Sequence, residues 1–292
     1  MTARSLDGKS CAASVEAKLS ERIAVLHERG VIPHLAVIIV GDDPASHVYV
    51  NSKVRTCERL GLISTHIELP ADTEEREVQR HIESLNQQSD VHGILVQSPL
   101  PHHMDEERLT ELIHPTKDVD GFHPVNLGRL VQGRTDGLLP CTPHGIMKLL
   151  EWAGIELQGA RALVLGRSRI VGMPAALLLA ARGADATVTV AHSRTKDLAE
   201  RCAEADVIVA AVGQPNMVKR TWLKPGAVVV DVGINRVEDA ERERGWRLAG
   251  DVDPAVAEVA GWLSPVPGGV GPMTIAMLMS NTVRAAEQSL QP

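Results

Sequence analysis

Short apolar runs alternate with amphipathic helical runs along almost the whole chain. Parallel strands need long crossovers, and a helix is the usual one, so this alternation predicts an α/β protein with parallel sheets and helices on both faces. The predicted strands cover residues 34–41, 64–69, 91–97, 161–166, 186–190, 206–211 and 227–231. The predicted helices cover residues 10–29, a segment ending near 61, then 73–88, 105–113, about 143–153 and 274–289, with Thr73 and Thr274 as possible caps.

The alternation restarts after the helix at about 143–153, which indicates two domains. A chain of 292 residues is long enough for both. We expect an N-terminal α/β domain that carries the catalytic residues and an inserted, Rossmann-like nucleotide-binding domain. A last helix would return to the first domain. The expected boundaries are residues 1–141 and 273–292 for the first domain and residues 142–272 for the inserted nucleotide-binding domain.

Charge and cysteine content exclude several classes of function. A net charge of −7 argues against nucleic acid as the main partner. The four cysteines are far apart and form no C-x-x-C pair, which favours reduced thiols in a cytoplasmic protein. No apolar run approaches the roughly 20 residues of a membrane span, and the N-terminus lacks the apolar stretch of a signal peptide. The histidines form no H-E-x-x-H motif, so we expect no metal site.

The only tyrosine of the chain, Tyr49, lies four residues before Lys53. Positions four apart share a helix face, so the phenol and the amine should project together, with Ser46 just below them. They follow the predicted strand 34–41, where open α/β sheets place ligands beyond the carboxyl ends of their strands. By itself the pair is also compatible with a packed tyrosine and a solvated lysine.

Polar residues at other strand ends could join this pair. Gln97 ends a predicted strand, so its amide should face the same place as Lys53. Asp118 and Asp120 lie in a following loop, and a carboxylate there could pair with the edge of an aminopyrimidine through two hydrogen bonds. Asp118 is also compatible with an aspartate that only forms a turn.

Residues 161–174 have the strand–glycine loop–helix order of a dinucleotide-binding unit, although Ser168 replaces the second glycine of the usual motif. The next strand ends without the acidic residue of NAD sites and carries arginine and hydroxyl groups instead. These donors suit a 2′-phosphate, which predicts NADP as the cofactor. The predicted cofactor-binding residues are Gly166, Arg167, Ser168, Arg169, Gly172, Ser193, Arg194, Gly233 and Ile234.

Residues 265–274 hold three prolines and three glycines within eight positions. So dense a segment predicts a rigid turn whose backbone approaches another group closely. Whether the Val266–Pro267 bond is cis stays open at this point.

Together these segments resemble the bifunctional methylenetetrahydrofolate dehydrogenase/methenyltetrahydrofolate cyclohydrolase family. The matching stretches are residues 40–46, 49–53, 93–97, 117–122, 140–145, 166–174 and 265–274, in order along the chain. The resemblance implies two α/β domains with a cleft between them, tetrahydrofolate substrates, NADP and a homodimer. The chain departs from the family's pattern at Ser98, where the family commonly has an apolar residue. It also departs at residues 134–139, which lack an aromatic residue that is frequent in the family.

The resemblance also assigns roles to residues. Lys53 matches the proton-transfer lysine, Gln97 its orienting partner, Tyr49 the residue that stacks on the folate ring and Asp120 the aspartate that holds the pterin. The implied substrate-binding set is Ser46, Tyr49, Asp120, Pro267, Gly268, Gly269 and Thr274. The expected reactions are hydride transfer from 5,10-methylenetetrahydrofolate to NADP and hydrolysis of the methenyl product to 10-formyltetrahydrofolate.

Three other interpretations compete with this one. Short-chain dehydrogenases share the Tyr-x-x-x-Lys spacing, but there the nucleotide loop precedes the pair, whereas here it follows over a hundred residues later. A monofunctional NADP-dependent methylenetetrahydrofolate dehydrogenase is the nearer alternative. A nucleotide-sensing regulator without turnover is the third, and the absence of an added interaction module argues against it.

Overall fold

The computed structural model describes residues 2–134, 136–242 and 245–290, without the side chains of residues 44 and 45. Its strands are β1 (Arg4–Ser5), β2 (His34–Val40), β3 (Ile63–Leu69), β4 (Gly93–Val96), β5 (Arg161–Leu165), β6 (Thr187–Ala191), β7 (Val207–Ala210), β8 (Val228–Asp231), β9 (Asn235–Glu238), β10 (Trp246–Ala249) and β11 (Trp262–Leu263). Its α-helices are α1 (Gly8–Glu28), α2 (Pro44–Leu60), α3 (Glu75–Gln87), α4 (Glu106–Leu112), α5 (Pro124–Val131), α6 (Cys141–Trp152), α7 (Gly172–Ala180), α8 (Leu198–Glu204) and α9 (Val270–Ser289).

The chain forms two compact units. The three-stranded unit comprises Ser14–Cys141 and the chain from Ile275 onward. The six-stranded unit comprises Thr142–Thr274 and the chain up to Ala13. Among the described helices, none is long and apolar enough to cross a membrane.

The three-stranded unit is built on a parallel sheet with the order β3-β2-β4. All seven residues of the central strand β2 are buried, as expected for a parallel strand covered on both faces. Ala36, Ile38 and Val40 of that strand pack in one cluster with Val78 and Ile82 of α3. The sheet therefore holds the carboxyl ends of β2 and β4 in a fixed register.

The six-stranded unit has the parallel order β1-β11-β8-β7-β5-β6. Its central strands β5, β7 and β8 are almost wholly buried. The order reverses on either side of β5, since β6 lies on one side and β7 on the other. Such a switch point is where doubly wound sheets bind nucleotides. A separate antiparallel hairpin joins β9 and β10.

The predicted fold class is confirmed. Both main sheets are parallel, and the C-terminal helix α9 belongs to the three-stranded unit from Ile275 onward. The predicted domain boundaries differ from the two units mainly at the start of the chain. Residues up to Ala13 group with the six-stranded unit, because β1 pairs with β11. The strand β1 is only two residues long, which is too short for a periodic signal.

Both predicted caps are wrong. Helix α9 begins at Val270, so Thr274 lies in its second turn, where its hydroxyl donates to the Val270 carbonyl at 3.3 Å. Helix α3 begins at Glu75, and Thr73 instead closes a turn by donating its N–H to the Pro70 carbonyl at 3.1 Å.

Helix α5 and the β9–β10 hairpin were not predicted. Within the segment 134–139, residue 135 lies outside the described residues.

Candidate active site

The loop after β2 is held by the start of helix α2. The Asp43 carboxylate accepts from the Ser46 N–H at 2.8 Å and from the Ser46 hydroxyl at 2.9 Å, which caps the helix. The same hydroxyl lies 3.5 Å from the Ser98 carbonyl, in the loop after β4. Ser46 is thus buried in a structural contact, and its predicted contact with substrate stays a prediction.

Lys53 and Gln97 meet as predicted from their positions. The Lys53 ammonium nitrogen Nζ donates to Gln97 Oε1 at 2.8 Å. The Gln97 Nε2 group donates to the Ser98 carbonyl at 2.6 Å, which fixes the amide so that its oxygen must face the lysine. Gln97 itself is placed by its N–H, which donates to the Ile38 carbonyl of β2 at 2.8 Å.

Lys53 is only 8% exposed, and this burial lowers the pKa of its amine, while the nearby Asp120 charge opposes the shift. A buried amine with a neutral acceptor can lose its proton more readily than a lysine in water. Tyr49, one turn earlier on α2, is half-buried, and desolvation raises the pKa of its phenol, which keeps it protonated.

The two loop aspartates have different roles. The buried Asp118 carboxylate accepts from the N–H groups of Gly121, Phe122 and His123 at 3.2, 3.2 and 2.8 Å, and from the Asn126 amide at 2.8 Å. With these four donors Asp118 fixes the turn. This agrees with the interpretation of Asp118 as a residue that forms a turn. The side chain of Asp120 has no such cage of donors among the described residues.

Burial is the main cause that raises the pKa of Asp120 to about 6, and the charge of Lys53 acts in the opposite direction. Asp120 also lines a small cavity with Ser98, Glu106 and Phe122. The structure therefore brings Asp120 into electrostatic reach of Lys53, while leaving its carboxylate available to a ligand.

Asn281 supports the Asp120 loop and was not predicted. From α9 its amide nitrogen donates to the Val119 and Leu139 carbonyls, both at 2.8 Å. The buried thiol of Cys141 donates to the same Val119 carbonyl at 3.2 Å. Asn281 is separated from Val119 by 162 positions, so no local sequence signal could have revealed this contact.

In the six-stranded unit, the loop after β5 is built around two glycines. Gly166 has a φ of +113°, and a Cβ there would lie 2.1 Å from the Ala211 carbonyl oxygen. A Cβ on Gly172 would lie 2.3 Å from the Gly166 carbonyl oxygen. Both positions therefore need glycine for the tight approach of strand, loop and helix α7.

Ser168, in place of the second motif glycine, organises this loop. Its hydroxyl oxygen accepts from the N–H groups of Val171 and Gly172 at 3.2 and 3.3 Å, at the start of α7. The hydroxyl proton is then left to donate outward. This arrangement suits a phosphate oxygen as the acceptor of that proton.

A cavity lies at the carboxyl ends of β5, β6 and β7. It brings together four predicted cofactor residues, Gly166, Arg167, Ser168 and Ser193, with His192, Val212 and Gln214 also in its lining. Of the described residues that line it, none is Asp or Glu. A donor set of hydroxyl, guanidinium and imidazole groups without a carboxylate fits the 2′-phosphate of NADP.

His192 was not singled out in the sequence. The Arg194 N–H donates to His192 Nδ1 at 3.2 Å, so Nδ1 acts as the acceptor nitrogen of the ring. The Thr195 hydroxyl closes the same turn by accepting from the His192 N–H at 2.9 Å. Five predicted residues are described but are not part of the lining: Arg169, Gly172, Arg194, Gly233 and Ile234.

The proline- and glycine-rich segment makes a close approach within the protein. A Cβ on Gly8, at the start of α1, would lie 1.6 Å from the Gly269 carbonyl oxygen. The Val266–Pro267 bond is cis, and Gly268 has a φ of +109°. The Thr274 hydroxyl lies 3.0 Å from that of Thr142. Contacts of Pro267, Gly268, Gly269 and Thr274 with substrate stay predictions.

Comparison with known proteins covers nearly the whole chain. Residues 6–120 match the catalytic domain of the tetrahydrofolate dehydrogenase/cyclohydrolase family, and residues 140–290 match its NAD(P)-binding domain. The chain is 52% identical over 289 residues to the bifunctional protein FolD of Moorella thermoacetica, covering 99% of this chain and 100% of the relative.

Two solved structures give the same result. The bifunctional enzyme FolD from Campylobacter jejuni superimposes with a TM-score of 0.93 at 46% identity, covering 98% of this chain and 99% of that one. The Trypanosoma brucei methylenetetrahydrofolate dehydrogenase-cyclohydrolase, complexed with NADP and an inhibitor, superimposes with a TM-score of 0.94 at 40% identity, and both chains are covered completely. The chain belongs to the tetrahydrofolate dehydrogenase/cyclohydrolase family.

Proposed function

We propose that this chain catalyses the NADP-dependent oxidation of 5,10-methylenetetrahydrofolate to 5,10-methenyltetrahydrofolate and the hydrolysis of that product to 10-formyltetrahydrofolate. It is a bifunctional enzyme, a dehydrogenase and a cyclohydrolase. The observation that carries the proposal is the buried Lys53 amine, held by the amide oxygen of Gln97 at 2.8 Å. A lysine in this setting can exchange a proton, which the hydrolytic step requires.

In the hydrolytic step, water adds to the methenyl carbon and loses a proton as its oxygen bonds to that carbon. The bond from this carbon to N5 then breaks: the hydroxyl on the carbon loses its proton as the formyl C=O forms on N10, and N5 takes up a proton. Lys53 relays these protons, because burial favours its neutral amine. Gln97 holds the amine in place through its oxygen and leaves the nitrogen lone pair for the reacting water.

The folate is held by residues around this lysine. The half-buried Tyr49 stacks its ring on the pterin and shares a helix face with Lys53. The Asp120 carboxylate accepts two hydrogen bonds from the aminopyrimidine edge. Ser46, Pro267, Gly268, Gly269 and Thr274 complete the proposed substrate-binding set.

NADP is the cofactor, and when bound it accepts the hydride that the methylene carbon loses. The loop 166–168 and the start of α7 offer backbone and hydroxyl donors to its phosphates. Arg167, Arg169, Ser193 and Arg194 supply positive charge and donors for the 2′-phosphate. Gly172, Gly233 and Ile234 belong to the proposed set as positions where the backbone approaches the dinucleotide.

The Arg194→Ala variant should lose affinity for NADP by about tenfold or more, while its affinity for NAD stays nearly constant. An arginine–phosphate pair adds a charge-assisted interaction that only the 2′-phosphate can make. Titration calorimetry with both dinucleotides measures the two constants. Arg182→Ala, an exposed arginine in the same unit, serves as the control. Equal losses for NADP and NAD would mean that Arg194 does not bind the 2′-phosphate.

Folate binding should weaken as the pH falls, because the pKa of Asp120 is raised to about 6. Above this pKa the carboxylate is ionised and accepts two hydrogen bonds, and below it the carboxyl group is protonated. The Kd of folic acid, a non-reactive analogue, should therefore rise about tenfold between pH 7 and pH 5. The Asp120→Asn variant should bind weakly with a flat profile across this range. An unchanged pH dependence in that variant would remove Asp120 from the folate site.

A coupled assay tests the proposed function itself. The purified chain, given 5,10-methylenetetrahydrofolate and NADP, should form NADPH and then 10-formyltetrahydrofolate. Accumulation of the methenyl compound without formyl product would indicate a monofunctional dehydrogenase. No turnover at all, with NADP still bound, would favour a nucleotide-sensing regulator.

We further propose that the protein is a homodimer and that it is located in the cytoplasm. The resemblance to the family supports the dimer, and the four free, buried cysteines accord with a reducing compartment. Light scattering coupled to gel filtration should give about twice the chain mass of 31.4 kDa. A mass of one chain at micromolar concentration would contradict the dimer.

A further inference from the structure

Two buried aspartates lie next to the cofactor cavity and have no part in the proposed chemistry. Asp231 ends strand β8, and Asp251 follows strand β10 by two positions. They are 4% and 0% exposed. Within the described part of the chain neither carboxylate forms an ion pair, so hydrogen bonds must offset the cost of burying them.

Asp251 binds the loop that follows β7. Its Oδ2 atom accepts from the N–H groups of Val212 and Gly213 at 2.6 and 2.9 Å. Its Oδ1 atom accepts from the Asn235 amide at 2.9 Å. Val212 and Gln214 line the cofactor cavity together with Ser168 of the glycine loop. The Asp251 carboxylate therefore fixes the position of the loop that carries Val212 and Gln214 in the cavity lining.

Asp231 in turn holds Asp251. Its Oδ1 accepts from the Asp251 N–H at 2.8 Å and from the Gly233 N–H at 3.0 Å, while its Oδ2 accepts from the Val252 N–H at 3.0 Å. A Cβ on Gly233 would lie 2.4 Å from Asp251 Oδ1, and a Cβ on Gly250 would lie 1.7 Å from Asp231 Oδ2. Glycine is needed at both positions so that the backbone can close around the two carboxylates.

We propose that Asp251 is a positioning residue for NADP: it fixes the 211–214 loop so that the cavity at the ends of β5, β6 and β7 keeps the shape the dinucleotide needs. Asp231 acts behind it by fixing the Asp251 main chain. The inference rests on the proposed function in taking NADP as the cavity's ligand. It adds a residue that touches neither the cofactor nor the folate.

The test compares two variants of Asp251 by NADP titration calorimetry. Asp251→Ala leaves the Val212 and Gly213 N–H groups without their acceptor, and the Kd of NADP should rise at least about tenfold. Asp251→Asn keeps one oxygen toward those groups, so its Kd should rise only about threefold. Asp253→Asn, two positions along and more exposed, is the matched control and should bind NADP like the unmodified chain.

A second readout separates positioning from a general loss of structure. Hydrolysis of 5,10-methenyltetrahydrofolate, assayed without NADP, should stay within about twofold of the unmodified chain in both variants, because the proton-transfer pair Lys53 and Gln97 lies in the three-stranded unit. For the dehydrogenase, the KM for NADP should rise while kcat at saturating NADP changes little. Equal losses of hydrolysis and NADP binding, or an unchanged Kd in Asp251→Ala, would overturn the inference.

If Asp251→Ala does not fold, Asn235→Asp replaces it. That change puts a second carboxylate where the Asn235 amide now donates to Asp251, and the repulsion should displace Asp251 and raise the Kd of NADP. A Kd equal to that of the unmodified chain would again overturn the inference. The unmodified chain could bind NADP and yet turn over neither 5,10-methylenetetrahydrofolate nor 5,10-methenyltetrahydrofolate. That result would contradict only the proposed function, because the Kd values for NADP would still decide the role of Asp251.

Discussion

Replacing Lys53 by methionine should reduce the cyclohydrolase rate by roughly 10²–10⁴-fold, the range expected for loss of a general acid–base group. Methionine is of similar length and packs well in buried positions, so the change removes the amine with little loss of volume. It also leaves the Gln97 oxygen without the donor that now lies 2.8 Å away. Hydrolysis of 5,10-methenyltetrahydrofolate, followed by its absorbance, measures the effect.

Two controls accompany the Lys53→Met variant. The Kd of NADP should stay nearly unchanged, because the proposed cofactor residues lie in the six-stranded unit. Lys53→Arg keeps the positive charge but cannot give up its proton, so it should also fail to hydrolyse. Hydrolysis at the original rate in either variant would exclude Lys53 as the proton carrier.

Alanine at Gly166 should destabilise the six-stranded unit by roughly 3 kcal/mol or more and abolish tight NADP binding. Two separate causes act there. A φ of +113° strains any residue with a Cβ, and that Cβ would also lie 2.1 Å from the Ala211 carbonyl oxygen. Relief of the contact would push apart the ends of β5 and β7, which form the cavity.

A matched control separates these two causes. Gly183 has a φ of +94°, and a Cβ there would meet no atom within 4 Å. Gly183→Ala should therefore show only the backbone cost, about 1–2 kcal/mol, and should bind NADP normally. Urea unfolding gives both stabilities. Equal effects of the two substitutions would mean that the contact with Ala211 relaxes without consequence.

The sequence was sufficient to predict the parts of the fold that repeat a strong pattern. Strands such as β2, β7 and β8 are buried over their whole length, so they read as continuous apolar runs. The two-residue strands β1 and β11 and the hairpin β9–β10 have no such signal. Strand β1 pairs with a partner far along the chain, which no local pattern can indicate.

The candidate site also contains residues that the sequence predicted and residues that it did not. The spacing of Tyr49 and Lys53, and the position of Gln97 at a strand end, follow from helix and sheet geometry. The sequence left the two loop aspartates only partly distinguished, because the four donors that surround Asp118 appear only when the turn has formed. Asn281 and Asp251 act through contacts between distant segments, which no local pattern records.

The orientation of the Gln97 amide bears on how this site can change during evolution. The group that receives its Nε2 hydrogen is the main-chain oxygen of residue 98, which every amino acid possesses. The side chain at that position points its hydroxyl to Glu106 instead. An apolar residue at position 98 would offer the same main-chain oxygen, so the Gln97 amide would keep its oxygen turned toward Lys53 whichever side chain position 98 carries.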